Sequence, residues 1–274
     1  MMPARPPQIV AFGGGGFSIE GGNSTLDDHV LSLTGVARPK VCFLPTASGD
    51  AREQVVRFHE RFSLWPCEPT TISLFHLGRD RIDPRAHLLS QDAIYVGGGS
   101  MRNMLAIWRE HRIDRVMREA WESGIVLAGL SAGAMCWFEG GVSMSGGTAE
   151  PVGGLGLLAG SLSVHRDSEP QRLPFYRQAI AHGDLPDGYA LDDSVALLFV
   201  GRGLAQCVAS SSRAGAVRIT RGDGRTQASP LRVRVLPGAA GPLATVRHTR
   251  RPEPSEELAL AELRLLRHGR GRWR

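Results

Sequence analysis

Ile125-Val126-Leu127-Ala128-Gly129-Leu130-Ser131-Ala132-Gly133-Ala134-Met135 begins as an apolar run and ends in small residues. A short buried strand that turns sharply into a helix reads this way. Gly129 and Gly133 flank Ser131 at i−2 and i+2, where a tight turn tolerates no bulk, and such a turn lifts the serine Oγ above the sheet as a nucleophile elbow. The plainer reading makes Ser131 only the N-cap of the following helix, a frequent role for serine. Cys136 lies close by, yet nothing around it requires a nucleophilic role. Cys42, Cys67, Cys136 and Cys207 form no CxxC pair, so they read as small buried hydrophobes, with neither a zinc site nor a redox motif indicated.

Working upstream, the first 130 residues alternate short β-branched runs with helical patterns, the signature of a parallel sheet wrapped by helices. The expected strands are Ile9–Phe12, Val41–Leu44, Thr71–Leu74, Ala93–Val96 and Ile125–Ala128. Helices are expected near Thr25–Leu33, Ala51–Leu64, Met101–Glu110 and Ile113–Glu122. Several strands run straight into loop chemistry: Gly13–Gly16, Pro45–Ser48 and Gly97-Gly98-Gly99. In open α/β sheets ligands bind beyond the carboxyl ends of the strands, so these loops should share one functional rim. The triple glycine lacks the GxGxxG spacing of a dinucleotide site.

Downstream, the pattern loosens into a glycine-rich stretch, Gly140–Gly160, that reads as a flap over the site or a long surface connection. A helix is expected over Pro170–Ala181, with strands near Tyr189–Leu191, Ala196–Val200 and Ala205–Val208. The folded body should end near residue 236, giving one α/β domain over 1–236. A basic extension follows over 237–274, with Ser255–Arg267 patterned as a short amphipathic helix and Ser255 placed to cap it.

An activated serine needs a base, and the base an orienting acid. Of the nine histidines, His29, His59, His111 and His182 fall in or at the ends of expected helices and read as structural. His165 instead follows the apolar run Leu162-Ser163-Val164 and opens the polar loop Arg166-Asp167-Ser168-Glu169. Asp192 and Asp193 close the strand-like Gly188–Leu191, and either could project from the rim. A Ser131, Asp193, His248 order would fit an α/β-hydrolase esterase instead, although His248 sits in the Arg-rich connector. A third reading keeps the fold as a non-catalytic binding protein whose working part is the basic extension.

Four ordered motifs now carry a family resemblance. Phe43–Ser48, Ile94–Ser100 with Asn103-Met104-Leu105, Gly129–Ala134, and His165 with Leu191-Asp192-Asp193 resemble the dipeptidase E and cyanophycinase family of serine peptidases. The likeness runs from about residue 8 to 220. It implies a flavodoxin-like three-layer sandwich with a mostly parallel central sheet, similar to class I glutamine amidotransferases, and cleavage of small peptides through an acyl-enzyme. Carried over residue by residue, Ser131 is the nucleophile, His165 the general base and Asp193, where relatives often have Glu, the orienting acid. Gly99 and Ala132 supply oxyanion N–H groups, with Gly98 beside the substrate. Arg166 or Arg172 stands where the dipeptidase E branch reads an acidic side chain, and Glu169 at that position would repel one. Some relatives carry an Asp where this chain has Gly141–Ser145.

Composition sets the outer limits. The 274 residues are 42% hydrophobic and 22% charged, which excludes wholesale disorder, and no apolar run reaches the length of a bilayer span. Met1–Pro7 does not read as a secretory signal, so a soluble cytoplasmic protein is expected. The net charge is +5, but residues 237–274 hold eight Arg against four Glu, leaving the body nearly neutral. A basic tail without interleaved aromatics is weak evidence for nucleic acid. The expected partners are a small peptide substrate and, at most, a second copy of the chain, with no membrane, nucleic acid, metal or other cofactor.

Overall fold

The structure, a computed structural model, describes residues 5–20, 24–222 and 225–238, all within one compact unit, Met1–Ala239. His248 and the Ser255–Arg267 pattern lie outside the described residues. The first half of the chain runs β1 (Gln8–Phe12), α1 (Thr25–Leu33), β2 (Lys40–Leu44), α2 (Arg52–Phe62), β3 (Glu68–Thr71), α3 (Leu77–Asp80), α4 (Pro84–Leu89), β4 (Ala93–Val96), α5 (Met101–Glu110), α6 (Ile113–Glu122), β5 (Val126–Leu130) and α7 (Ala132–Met135). The second half runs β6 (Gly140–Ser143), β7 (Glu150–Gly153), β8 (Ser161–Ser163), α8 (Arg172–His182), β9 (Gly188–Leu191), β10 (Val195–Val200), β11 (Gly203–Ala209), β12 (Ala216–Arg221), β13 (Thr226–Pro230) and β14 (Arg234–Val235).

The central sheet has the order β14-β11-β10-β1-β5-β4-β2-β3. Strands β1, β5, β4, β2 and β3 are mutually parallel, while β10 runs antiparallel to β1. Strands covered on both faces must be apolar on both, which is why β1, β4 and β5 are continuous buried runs with no polar alternation. Ile9 and Ala11 of β1 face the layer of α5 and α6, where Met104, Trp108 and Met117 are buried. Val10 and Phe12 face the layer of α1 and α2, with Leu26, Val30, Phe58 and Phe62. The result is a three-layer α/β sandwich. Serines cap two of these helices: Ser24 accepts the Asp27 N–H at the start of α1, and Ser100 accepts that of Asn103 at the start of α5.

Two expectations are corrected. The third strand lies at Glu68–Thr71, not Thr71–Leu74. Ile72 and Leu74 are buried because the chain dips into the core after the strand, so their apolar character marks packing and not pairing. Gly140–Gly160 is not simply a long surface connection. It begins with a hairpin of β6 and β7, which joins a second sheet of order β13-β12-β9-β8-β6-β7. Gly140–Ser143 is buried throughout. A Cβ at Gly141 would stand 2.7 Å from the Leu162 carbonyl oxygen, so the glycines there allow close strand packing.

Candidate active site

Every loop of the expected rim leaves the carboxyl end of a parallel strand: Gly13–Gly16 after β1, Pro45–Ser48 after β2, Gly97–Gly99 after β4 and Ser131 after β5. Ser131 has φ 53° and ψ −111°, a backbone region that costs a non-glycine residue about 1–3 kcal/mol. The elbow's glycines are needed on steric grounds. A Cβ on Gly129 would come within 2.0 Å of the Gly133 carbonyl oxygen, and one on Gly133 within 2.4 Å of the Val96 carbonyl oxygen. Ser131 makes no side-chain cap to α7. Its Oγ instead meets His165 Nε2 at 2.9 Å.

His165 follows β8, also with positive φ (56°), and its N–H donates to the Gly13 carbonyl at 3.2 Å. Its Nδ1 lies 2.6 Å from Asp193 Oδ1. A carboxylate only accepts, so Nδ1 carries the proton and Nε2 offers its lone pair to the Ser131 hydroxyl. Asp193 Oδ2 accepts from Ser168 Oγ at 2.7 Å, and the Asp193 N–H donates to Asp167 Oδ1 at 2.8 Å. Burial alone would push the Asp193 carboxyl up. The hydrogen bonds from His165 and Ser168, with the charges of His165 and Arg172, outweigh it and hold the group below the usual carboxylate range. Gly14 completes the fit: a Cβ there would stand 2.0 Å from Asp193 Oδ1 and 2.9 Å from His165 Cε1.

The neighbouring carboxylate, Asp192, is engaged by Arg166 and does not meet the imidazole. Among the described residues His165 is the histidine at Ser131. The Cys136 thiol is buried beneath the elbow, and burial pushes it well above its ordinary range, away from thiolate chemistry.

Over Ser131 opens a pocket of about 380 Å³ whose walls include Gly99, Ser100, Ser143, Met144, Glu169 and Arg172. Gly99 has φ 139°, and a Cβ there would collide with the Ala47 carbonyl oxygen at 2.2 Å. The turn is fixed by Ser100 N–H donating to that same oxygen at 2.8 Å. Gly98 lies against Ser131, its would-be Cβ 3.3 Å from the serine Cβ. Ala132 is the first residue of α7, where helical geometry leaves an N–H without an internal acceptor. Arg172 is almost fully buried, with Nε on Glu169 Oε2 and Nη1 on the Val142 carbonyl, both at 2.9 Å. The Glu169 charge is thereby compensated. Arg166, expected at the substrate, is not among the pocket walls because its guanidinium is spent on Asp192. Ser143 and Met144 were not singled out in the sequence, where their segment read only as a flap over the site or a surface connection. Among the described residues no group of three or more His, Cys, Asp or Glu is placed to hold a metal ion, and no helix is long and apolar enough to cross a membrane.

The model of peptidase family S51 matches residues 9–207. The chain is 44% identical over 229 residues to the uncharacterized peptidase YgaJ of Bacillus subtilis (strain 168), covering 84% of this chain and 99% of that protein. Its fold is similar to the crystal structure of a peptidase from an acI-B1 Actinobacterium, with TM-score 0.58 and 17% identity, covering 82% of this chain and 98% of that one.

Proposed function

The chain belongs to peptidase family S51, and from that premise we propose that it is a serine peptidase of the dipeptidase E type, acting on small peptides through Ser131, His165 and Asp193. One observation carries the reading: the continuous chain Ser131 Oγ, His165 Nε2, His165 Nδ1, Asp193 Oδ1, with links of 2.9 and 2.6 Å. Ser131 attacks the scissile carbonyl as its proton passes to Nε2. Asp193 holds the imidazole in the required tautomer and stabilises the cation that forms. The N–H groups of Gly99 and Ala132 receive the developing oxyanion, where losing one donor costs about 100-fold or more in rate. His165 then returns the proton to the leaving amine, and water releases the acyl group by the same route in reverse.

The pocket supports a small substrate, since about 380 Å³ matches one or two residues. The compensated Glu169–Arg172 pair makes its inner wall near neutral, which favours an uncharged or weakly polar side chain over a carboxylate. A dipeptide panel scanned by first residue, run with wild type and Ser131→Ala, tests class and specificity together. Cleavage by the wild type should fall by about 10⁴-fold or more in Ser131→Ala and be insensitive to chelator. Equal cleavage by both proteins overturns the assignment.

A further inference from the structure

The loop bearing His165 and the turn bearing Asp193 are tied a second time, one residue after His165 and one residue before Asp193, by a contact that the reaction above does not use. Arg166 forks onto Asp192, Nε to Oδ1 at 2.6 Å and Nη2 to Oδ2 at 2.7 Å. Asp192 Oδ2 also accepts the Gly215 N–H at 2.8 Å. The backbone repeats the connection: Asp192 N–H donates to the Gly215 carbonyl at 3.0 Å, and Arg166 N–H to the Leu191 carbonyl at 2.9 Å. A Cβ at Gly215 would stand 3.3 Å from Arg166 Nη2, so the segment entering β12 packs closely on the pair. Asp192 is only 7% exposed and Arg166 27%. A bidentate pair at that depth has both the directionality and the weak screening needed to hold geometry. It joins the rims of three neighbouring strands, β8, β9 and β12.

We propose that Arg166 and Asp192 form a positioning pair for the catalytic residues read above. The pair keeps the His165–Asp193 contact in register, and it cancels the charge of Asp192 so that Asp192 adds no net charge beside the imidazole. The charged neighbours of His165 come from every element packed around it. Asp193 bonds it directly, Asp192 and Arg166 stand adjacent in sequence to the two partners, and Asp167 accepts the Asp193 N–H. Glu169 and Arg172, across the pocket, compensate each other. From the elbow comes the neutral Ser131, and from the β1 loop the backbone of Gly13 and Gly14.

Breaking the pair from either end therefore has opposite electrostatic consequences. Arg166→Gln uncovers the Asp192 carboxylate, favours imidazolium, and moves the acid limb of the kcat/KM profile to higher pH. Asp192→Asn uncovers the Arg166 guanidinium and moves that limb to lower pH. One unit charge uncovered near an imidazole in a partly wet site corresponds to about half a pH unit each way.

The experiment measures pH profiles of the full chain on its best dipeptide for wild type, Arg166→Gln, Asp192→Asn and the double variant, with Ser131→Ala alongside. Each single variant should lose about tenfold in kcat with KM within about twofold of wild type. The limbs should move in opposite directions, and the double variant should restore the limb position. Arg166→Lys, which keeps the charge without the fork, covers poor folding of the single variants; it should lower kcat and leave the limb in place. A rise in KM with kcat and limb unchanged would make Arg166 a substrate-binding residue and overturn the proposal. Limbs that stay put or move together also overturn it. Undiminished cleavage by Ser131→Ala would instead bring down the nucleophile assignment, a failure distinct from that of the pair.

Discussion

Asp193 sits between two donors, His165 on one oxygen and Ser168 on the other, and its carboxyl is held below the usual range in the folded chain. A carboxyl lowered on folding binds fewer protons folded than unfolded on the acid side. Its stabilising contribution is therefore complete above the unfolded value, near pH 4, and is lost as pH falls through the lower folded value. Thermal melts of wild type and Asp193→Asn should differ most at neutral pH and converge as the solution is acidified below about pH 4. At this scale much was legible in the sequence. The glycine spacing around Ser131, the polar loop after an apolar run at His165 and the strand-ending Asp193 are local signals. The choice between Asp192 and Asp193 was not, because successive residues differ only in which way the turn aims them, and Arg166 decides that from 26 residues away. Gly14 was legible only as a loop residue, since its need for a missing Cβ arises from two side chains distant in sequence.

Among the elements, those with both faces buried or with a strong helical stripe were readable nearly to the residue. Thr25–Leu33, Met101–Glu110, Ile113–Glu122 and Ala93–Val96 lie where the pattern put them. The second sheet was not readable as a sheet. Its inner strands β6 and β8 are short and built from Gly, Ser and single apolar residues, and β13 is exposed along most of its length, so no alternation marks them. Helix α5 does more than cover the central sheet. Trp108 is fully buried, packs 6.1 Å from the Trp137 ring and donates to Thr46 Oγ1 at 3.4 Å. It thereby supports the β2 loop whose Ala47 carbonyl braces Gly99. Trp108→Ala should destabilise the fold by about 3–5 kcal/mol, read from urea unfolding midpoints at constant slope.

For the whole molecule, the two sheets divide the chemistry. Ser131 and Gly99 stand on the parallel core of the first, whereas His165 and Asp193 stand on neighbouring parallel strands of the second. The surplus of positive charge belongs to neither, since residues 237–274 account for four of the five net charges. A near-neutral body carries the pocket, and its electrostatics are local pairs: Glu169 with Arg172, Asp192 with Arg166.

The β6–β7 hairpin of the second sheet lies in the chain between Ser131 and His165, and its tip, 145–148, is exposed. A break there would place Ser131 on one piece and His165 and Asp193 on the other. Under the proposed catalytic reading each piece alone is inert, and their co-expression should restore turnover only as β6 recovers β7 and β8, and β1 recovers β10. Hydrolysis would then act as a coincidence detector, reporting the reunion of two fragments.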